Sequence, residues 1–287
     1  MADKEINTIA VASHPHLTEA AEEAAKIVSF LVERNISAKH LLLNDAELRE
    51  SIDNNENDLL IVLGGDGTVL RAGHLCAPNN VPILAINVGH FGFLIEVAKE
   101  SWRAKLSDLL DGNYWLEERM MLRAEHWRGG KSLGSWEILN EAMIGRGEVA
   151  RPVHLETDLD GRPLTTYVAD GLVVATPTGS TAYALAAGGP ILPPELRNIL
   201  IIPVAPHLSV DRGIVLAEGS DIGVTVRSDH RVVLSIDGKH PIELERGDCI
   251  KVRASDYAVK FVRFQDRGYF YRNLIRLMDQ HPSVGEN

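Results

Sequence analysis

The sequence is poor in cysteine. Its 287 residues contain two, Cys76 and Cys249, with no CxxC spacing between them. That excludes a disulfide framework and points to a reducing cytoplasm. Positive charge is also short. Lys and Arg total 29 against 40 Asp and Glu, a formal net charge of −11. A non-specific nucleic-acid binder needs a positive field, so that class is excluded. A small anionic ligand is not, because backbone N–H groups and a few basic side chains hold phosphates locally. No run approaches the roughly 18–20 apolar residues that span a bilayer. The opening MADKEINTIAVASH lacks the apolar core and cleavage pattern of a signal peptide, so a soluble, cytoplasmic chain is expected. The 11 histidines are scattered, without HExxH or Cys/His zinc spacing, so no metal ligands are assigned. There is no internal repeat and no low-complexity linker.

What is present is ordinary for a globular protein: 45% apolar and 24% charged residues. At roughly 150 residues per domain the length predicts two domains or one large one. The first 120 residues alternate short apolar runs with helical patterns. Strands are expected at Ile6–Val11, Lys39–Leu43, Asp58–Leu63 and Ile83–Val88. Helices are expected at Thr18–Arg34, Val69–Cys76 and Glu100–Leu110. In the first helix Ala21, Ala24, Ala25, Val28, Leu31 and Val32 read as one apolar face. Asp58–Leu63 is apolar almost throughout, which suits a strand covered on both faces. This alternation predicts an open, mostly parallel α/β sheet over residues 1–119.

After residue 119 the period changes to two. Ile222, Val224 and Val226 alternate with polar residues, as do Val232, Leu234 and Ile236, then Ile250 and Val252, then Val259, Phe261 and Phe264. Asp160-Gly161, Asp237-Gly238 and Arg246-Gly247-Asp248 are turn signals between such runs. Residues 120–265 are therefore expected to form a β-rich, sandwich-like domain. Within it Thr176–Pro190, rich in Gly, Ala, Ser and Thr, reads as a loop leading into a short helix. Residues 266–287 form a tail, helical over Tyr269–Met278, expected to return to the first domain.

Gly64-Gly65-Asp66-Gly67-Thr68 is the sharpest local signal. It follows an apolar strand and precedes a helix, where open α/β sheets bind ligands. Three glycines in four positions let a ligand approach the backbone and permit positive φ, and the N–H groups that open the next helix make a phosphate site. The motif is neither GxxxxGK[ST] nor GxGxxG. An Asp in such a turn accepts the proton of an attacking hydroxyl or helps to hold Mg²⁺ near phosphates. The bland alternative is a turn-filling Asp-Gly pair. The flanking glycines and the strand-to-helix setting favour function at Asp66, whereas Asp160 reads as a hairpin turn.

Gly64–Gly67 resembles the GGDG motif of the NAD kinases, which diacylglycerol and sphingosine kinases share. Later segments narrow the resemblance. Asn87-Val88-Gly89-His90-Phe91-Gly92-Phe93-Leu94 resembles the NxGxxGFL segment of NAD kinases, and Leu139-Asn140-Glu141 resembles their Asn-Glu motif. Asp170-Gly171 and Thr176–Tyr183, continuing to Gly188-Gly189-Pro190, resemble their glycine- and threonine-rich segment. The order and spacing match from about residue 58 to about residue 240.

The resemblance implies an N-terminal α/β domain and a β-rich C-terminal domain with the dinucleotide in the crevice between them. It implies a kinase that transfers the terminal phosphoryl group of ATP or polyphosphate, with Mg²⁺, to the adenosine 2′-hydroxyl of NAD, making NADP. Asp66 would accept the hydroxyl proton. Gly65, Gly67 and Phe91 would border the same site. Asn140 and Glu141 would contact the adenosine side and Asp170 the nicotinamide side. Thr181, Ala182, Tyr183, Ala184, Leu185 and Ala186 would line the dinucleotide. Arg151 either contacts the cofactor or is a solvated charge. Three positions depart from the family pattern. Ala186 stands where many relatives have Ser. Val168 stands where NAD-selective bacterial enzymes often carry Arg, leaving NAD against NADH open. Lys239 replaces a neutral polar residue and either reaches a phosphate or sits on a hairpin turn. The family forms dimers and tetramers, so a homo-oligomer is implied. The alternatives are a lipid or sphingoid-base kinase sharing the GGDG turn, and a non-catalytic NADP-binding sensor.

Overall fold

The computed structural model describes residues 6–89, 92–147, 151–207 and 210–279. Contacts divide the chain into two compact units, Met1–Glu118 with Ala258–Asn287, and Arg119–Tyr257.

The first unit contains β1 (Thr8–Ser13), α1 (Thr18–Val32), β2 (Ser37–Leu42), α2 (Ala46–Asp53), β3 (Leu59–Gly64), α3 (Asp66–Cys76), β4 (Ile83–Asn87), β5 (Val97–Ala98) and α4 (Trp102–Leu110). The main strands are parallel in the order β2-β1-β3-β4, with Ile9 opposite Leu59 and Leu60 opposite Ile83. β3 and β4 are buried at every residue. Such strands carry no polar alternation, because both faces are covered. β1 leads to β2 on one side, and the chain then crosses back to β3 on the other. The carboxyl ends of β1 and β3 therefore flank a topological switch point, the usual ligand position in open α/β sheets.

Two details differ from the sequence reading. α1 buries Ala20, Ala24, Ile27 and Leu31, while Val32 is exposed. The face is set by Ile27 and Leu31, one turn apart, with alanines above them, which rotates it from the expected stripe. α2 was not anticipated: it buries only Leu48 and Ile52, too few apolar positions to register as a period.

The second unit is a sandwich of antiparallel sheets. Its strands are β6 (Trp115–Arg128, entering from the first unit), β7 (Lys131–Ile138), β8 (Glu141–Arg146), β9 (Val153–Leu159), β10 (Arg162–Ala169), β11 (Gly171–Ala175), β12 (Asn198–Val204), β13 (Ile214–Ala217), β14 (Ile222–Val226), β15 (Val232–Ile236), β16 (Ile242–Leu244) and β17 (Cys249–Arg263). One sheet runs β13-β12-β11-β8-β15-β16. In the other, β10-β9-β14-β17 continue through β6 to β7. One core cluster joins Ile144, Leu172, Val174, Ile201 and Leu234 of the first sheet to Leu122, Leu155, Tyr167, Val224 and Ile250 of the second. Alternating inward residues of two facing sheets make such a core. Asp160-Gly161 forms the two-residue β9–β10 turn, with φ of 52° and 73°, the positive-φ pair that tight hairpins require. Ile250 to Phe261, expected as two runs, lies on one strand, because β17 continues through the polar Ser255 and Asp256. Thr176–Pro190 contains a 3-10 turn at Thr178–Thr181 and the four-residue α5 (Tyr183–Ala186).

The tail forms α6 (Tyr269–Asp279). Within the first unit the Tyr269 hydroxyl donates to Glu117 at 2.7 Å, and Arg263 Nε donates to the same carboxylate at 2.8 Å. Among the described residues no helix is long and apolar enough to cross a membrane.

Candidate active site

The GGDG turn sits at the carboxyl end of β3, beside the switch point. Asp66 is the first residue of α3 and Gly65 its N-cap, so the helix begins three residues earlier than expected from Val69. The glycines serve close approach rather than unusual backbone angles. None of Gly64, Gly65 and Gly67 has a positive φ, which corrects that part of the sequence argument. A Cβ on Gly64 would overlap the Thr68 side chain. Around Gly65 and Gly67 a Cβ would meet nothing, so the space over the start of α3 is open to a ligand. No side chain caps this helix, and its first N–H groups face the direction in which anions bind.

The Asp66 carboxylate is held from across the turn. Phe93 N–H donates to Oδ2 at 2.7 Å and Leu94 N–H to Oδ1 at 3.2 Å. A Cβ on Gly92 would overlap this carboxylate, so the glycine of the Gly92-Phe93-Leu94 segment is required for the clamp to close. The same segment starts from β4, where Val88 N–H donates to the Gly64 carbonyl at 3.2 Å. Phe91, expected at this site, lies outside the described residues.

Two neighbours were missed from the sequence. His14, just past β1, donates its N–H to the Leu63 carbonyl at 3.1 Å. Burial and the nearby Arg71 and His16 hold its imidazole below the usual histidine range. Arg71, on α3, donates to the Gly67 carbonyl at 3.3 Å. The signal available was Ser13-His14-Pro15-His16 at a strand end, uninformative until the strand order made it a neighbour of the glycine turn.

The second unit gathers a different set. Asn140 immediately precedes β8 and Glu141 is its first residue, buried with 8% exposure. Thr176 N–H donates to the Asn140 carbonyl at 2.9 Å, and the Thr176 hydroxyl donates to the Leu139 carbonyl. Gly179 packs directly on Asn140, where a Cβ would overlap the backbone. Glu141 carries a carboxyl pushed up to about 7, first by burial and then by the Asp237 carboxylate, against one N–H donated by Tyr183. Its Oε2 is buried without a hydrogen-bond partner. A buried polar atom left so implies a missing donor or acceptor.

Thr181 and Ala182 continue the 3-10 turn, with Thr181 Oγ1 on the Thr178 carbonyl at 3.0 Å. On α5 Tyr183 is exposed, Leu185 half-buried and Ala186 exposed. Ala184 is fully buried, so its methyl packs inward with Val173 and Leu200.

Asp170 lies at the other end of β11, where its carboxylate pairs with Arg146 at 3.1 Å. Gly171 and Ala175 of β11 face Gly145 and Glu141 of β8. Asp170 and Glu141 are thus five residue steps, about 17 Å, apart along the strands, at about 3.4 Å per residue. Val168 is half-buried on β10, and its carbonyl accepts from His207 N–H at 2.7 Å. Arg151 is exposed and borders a depression of about 340 Å³ with His154, Arg227, Ser228 and His230, apart from the Asn140 cluster. Lys239 is exposed on the β15–β16 turn, its N–H donating to the Ile236 carbonyl at 2.9 Å.

Known proteins carry both halves of this arrangement. Residues 5–114 match the family model of the ATP-NAD kinase N-terminal domain, and residues 139–264 that of the ATP-NAD kinase C-terminal domain. An NAD kinase of Chloroflexus aurantiacus is 37% identical over 270 residues, 94% of this chain and 98% of that protein. An NAD kinase of Chloroflexus aggregans is 44% identical over 218 residues, 76% of this chain and 79% of that protein. A yeast NADH kinase solved in complex with NADH is similar with a TM-score of 0.85 at 25% identity, over 99% of this chain and 91% of that one. An NAD kinase from Archaeoglobus fulgidus, solved in complex with ATP, shares the fold with a TM-score of 0.74 at 23% identity, over 97% and 100%.

Proposed function

The chain belongs to the NAD kinase family of phosphotransferases, and we propose that it phosphorylates the adenosine 2′-hydroxyl of NAD to give NADP, with ATP or polyphosphate as donor. The observation that carries this reading is the fixed Asp66 carboxylate at an open glycine turn. A carboxylate has about four lone-pair sites, so two N–H donors fix its orientation and leave it able to accept a substrate proton.

In the step itself the 2′-hydroxyl oxygen bonds to the terminal phosphorus as its proton passes to Asp66. The bond from that phosphorus to the bridging oxygen breaks, and ADP or shortened polyphosphate leaves. Phosphoryl transfer rests on positioning and charge stabilisation. The α3 N–H groups and Arg71 supply positive charge at the turn. His14, held towards its neutral form, offers hydrogen bonds instead.

Among the described residues no three His, Cys, Asp or Glu side chains converge as a metal cage. Mg²⁺ commonly uses one or two carboxylates together with substrate phosphates and water. When bound with the donor, it would neutralise developing charge on the phosphates.

Asn140 and Glu141 would read the adenosine half and Asp170 the nicotinamide half. An extended two-headed ligand suits groups at opposite ends of β11. Tyr183 offers an exposed ring, and the backbone of Thr181–Ala186 lines the same side. With Val168 in place of an Arg, we propose that NADH is also accepted. Gly65 and Gly67 would border the reacting end, as the family resemblance also implies for Phe91. Arg151 would contact the cofactor and Lys239 would reach a phosphate. A cytoplasmic homo-oligomer, dimer or tetramer, active in NADP synthesis completes the proposal.

The test is a coupled assay. Protein, NAD, ATP and Mg²⁺ are incubated and NADP is detected with an NADP-specific dehydrogenase, with NADH and polyphosphate in parallel. NADP formation that disappears in Asp66→Asn is the expected result. Wild-type turnover in that variant overturns the role of Asp66, and no NADP with any donor overturns the kinase reading.

A further inference from the structure

Asp237 and Gly238 read as a hairpin turn in the sequence. In the fold Asp237 does more than turn the chain. It closes β15 with a φ of 48°, is buried, and accepts three consecutive backbone N–H groups. Leu139 N–H donates to Oδ2 at 2.9 Å, and Asn140 and Glu141 N–H donate to Oδ1 at 2.8 and 2.9 Å. Its own N–H donates to the Glu141 carbonyl at 3.0 Å. On the other side Thr176 takes the Leu139 and Asn140 carbonyls.

Every backbone donor and acceptor of Leu139-Asn140-Glu141 is thereby satisfied, and half of them depend on one carboxylate. Buried N–H groups must find a partner, and three that converge on one anion can do so only if the segment curls around it. The side chains of the same segment are left over. That of Asn140 makes no hydrogen bond among the described residues, and Glu141 Oε2 has none. A segment whose backbone is fully tied keeps polar side-chain capacity for other partners: Glu141 accepts the Tyr183 N–H and retains a buried, unpartnered Oε2.

We propose that Asp237 is a positioning residue for dinucleotide binding, fixing the backbone of Asn140 and Glu141 so that their side chains meet the adenosine. The identity of that ligand rests on the kinase reading above, whereas the clamp itself does not. The negative charge of Asp237 also bears on Glu141. It and burial both raise the Glu141 carboxyl, opposed by the Tyr183 N–H.

The experiment compares wild type, Asp237→Asn and Gly238→Ala. NADP formation gives kcat and KM for NAD over pH 5.5–8.5, and calorimetry gives NAD affinity without turnover. Asp237→Asn keeps one acceptor oxygen and turns an NH₂ towards the remaining N–H. The KM for NAD should rise about tenfold, the scale of one lost hydrogen bond to a charged group, while kcat falls by less than about threefold, as for loss of uniform binding. The break in the NAD KM profile set by Glu141 should move to lower pH, a change that mere loosening of the fold would not produce. Gly238 has a φ of 68°, so Gly238→Ala strains the same turn without altering charge. It should raise KM less and leave the break in place, and it keeps the question open to test if Asp237→Asn does not fold. Unchanged KM and affinity in both variants would overturn the proposal. So would a collapse of kcat at unchanged KM, which would put Asp237 in the chemistry. Weakened NAD binding in a protein with no kinase activity would uphold the clamp and remove the kinase reading instead.

Discussion

Asp66 in the first unit and Asp237 in the second use one device in opposite ways. Each carboxylate accepts consecutive backbone N–H groups from a segment remote in sequence, Phe93 and Leu94 in one case, Leu139 to Glu141 in the other. At Asp66 the clamp segment holds the carboxylate, which lies half-buried beside an open turn, where the proposed chemistry places the proton acceptor. At Asp237 the carboxylate holds the clamp segment, whose side chains are the ones proposed to read the ligand. The difference is burial. Asp237 is buried and gives its lone pairs to three N–H groups, whereas Asp66 is half-buried and the Phe93 and Leu94 N–H groups do not use all four of its lone-pair sites.

The comparison can be broken at four points. The largest effect should come from Asp66→Asn, which keeps one acceptor oxygen but no basic carboxylate. Turnover should fall by about 10²–10⁴, the usual worth of a general base, with NAD affinity by calorimetry little changed. Next is Gly92→Ala. Its methyl would displace the Asp66 carboxylate from its two N–H donors, and kcat should fall by about 10²-fold, as misplacement of a reacting group does.

Gly179→Ala is the matching change in the second unit. There the methyl meets the Asn140 backbone rather than a side chain, so the loss should appear in KM for NAD and in stability. Urea denaturation should show about 1–3 kcal/mol lost, the typical cost of overpacking. If Gly92→Ala and Gly179→Ala gave the same kinetic signature, the division of labour between the two regions would fail.

The smallest effect is one of pH. The Glu141 carboxyl is raised from 4.5 to about 7 in the folded chain, by burial and then by Asp237. Below pH 4.5 the proton is on in both folded and unfolded chains. As pH rises towards 7 the unfolded chain ionises first, so stability falls by up to about 1.4 kcal/mol per pH unit across that window. Glu141→Gln should flatten this slope in urea melts at pH 5, 6, 7 and 8. An unchanged slope would mean that Glu141 ionises freely in the fold.

Much of the first region was legible in the sequence. An apolar run ending in three glycines and an Asp is a strand-to-helix ligand turn by composition alone, and the parallel sheet follows from the alternation of periods. The reason for the glycines was not legible. It is clearance for Thr68 and open space over α3, not positive φ, and clearance depends on what packs opposite. Gly92 shows the same limit, since its partner lies 26 positions earlier in the chain. In the second region Asn140-Glu141 stood out only through the family resemblance, because a polar pair at a strand start carries no local signature of its burial. Asp237 looked like a plain Asp-Gly turn for the same reason, and its three N–H partners are almost a hundred residues away.

By itself the sequence determined the elements that local physics controls: buried parallel strands from unbroken apolar runs, antiparallel strands from period two, hairpins from Asp-Gly pairs, and a glycine turn before a helix. Only the tertiary structure decided which carboxylate is half-buried and which is buried beneath three N–H groups. That choice depends on which distant backbone N–H groups arrive at each Asp and how much water remains beside it. Residue type fixes what a side chain can donate or accept, and packing alone fixes whether a partner is already there.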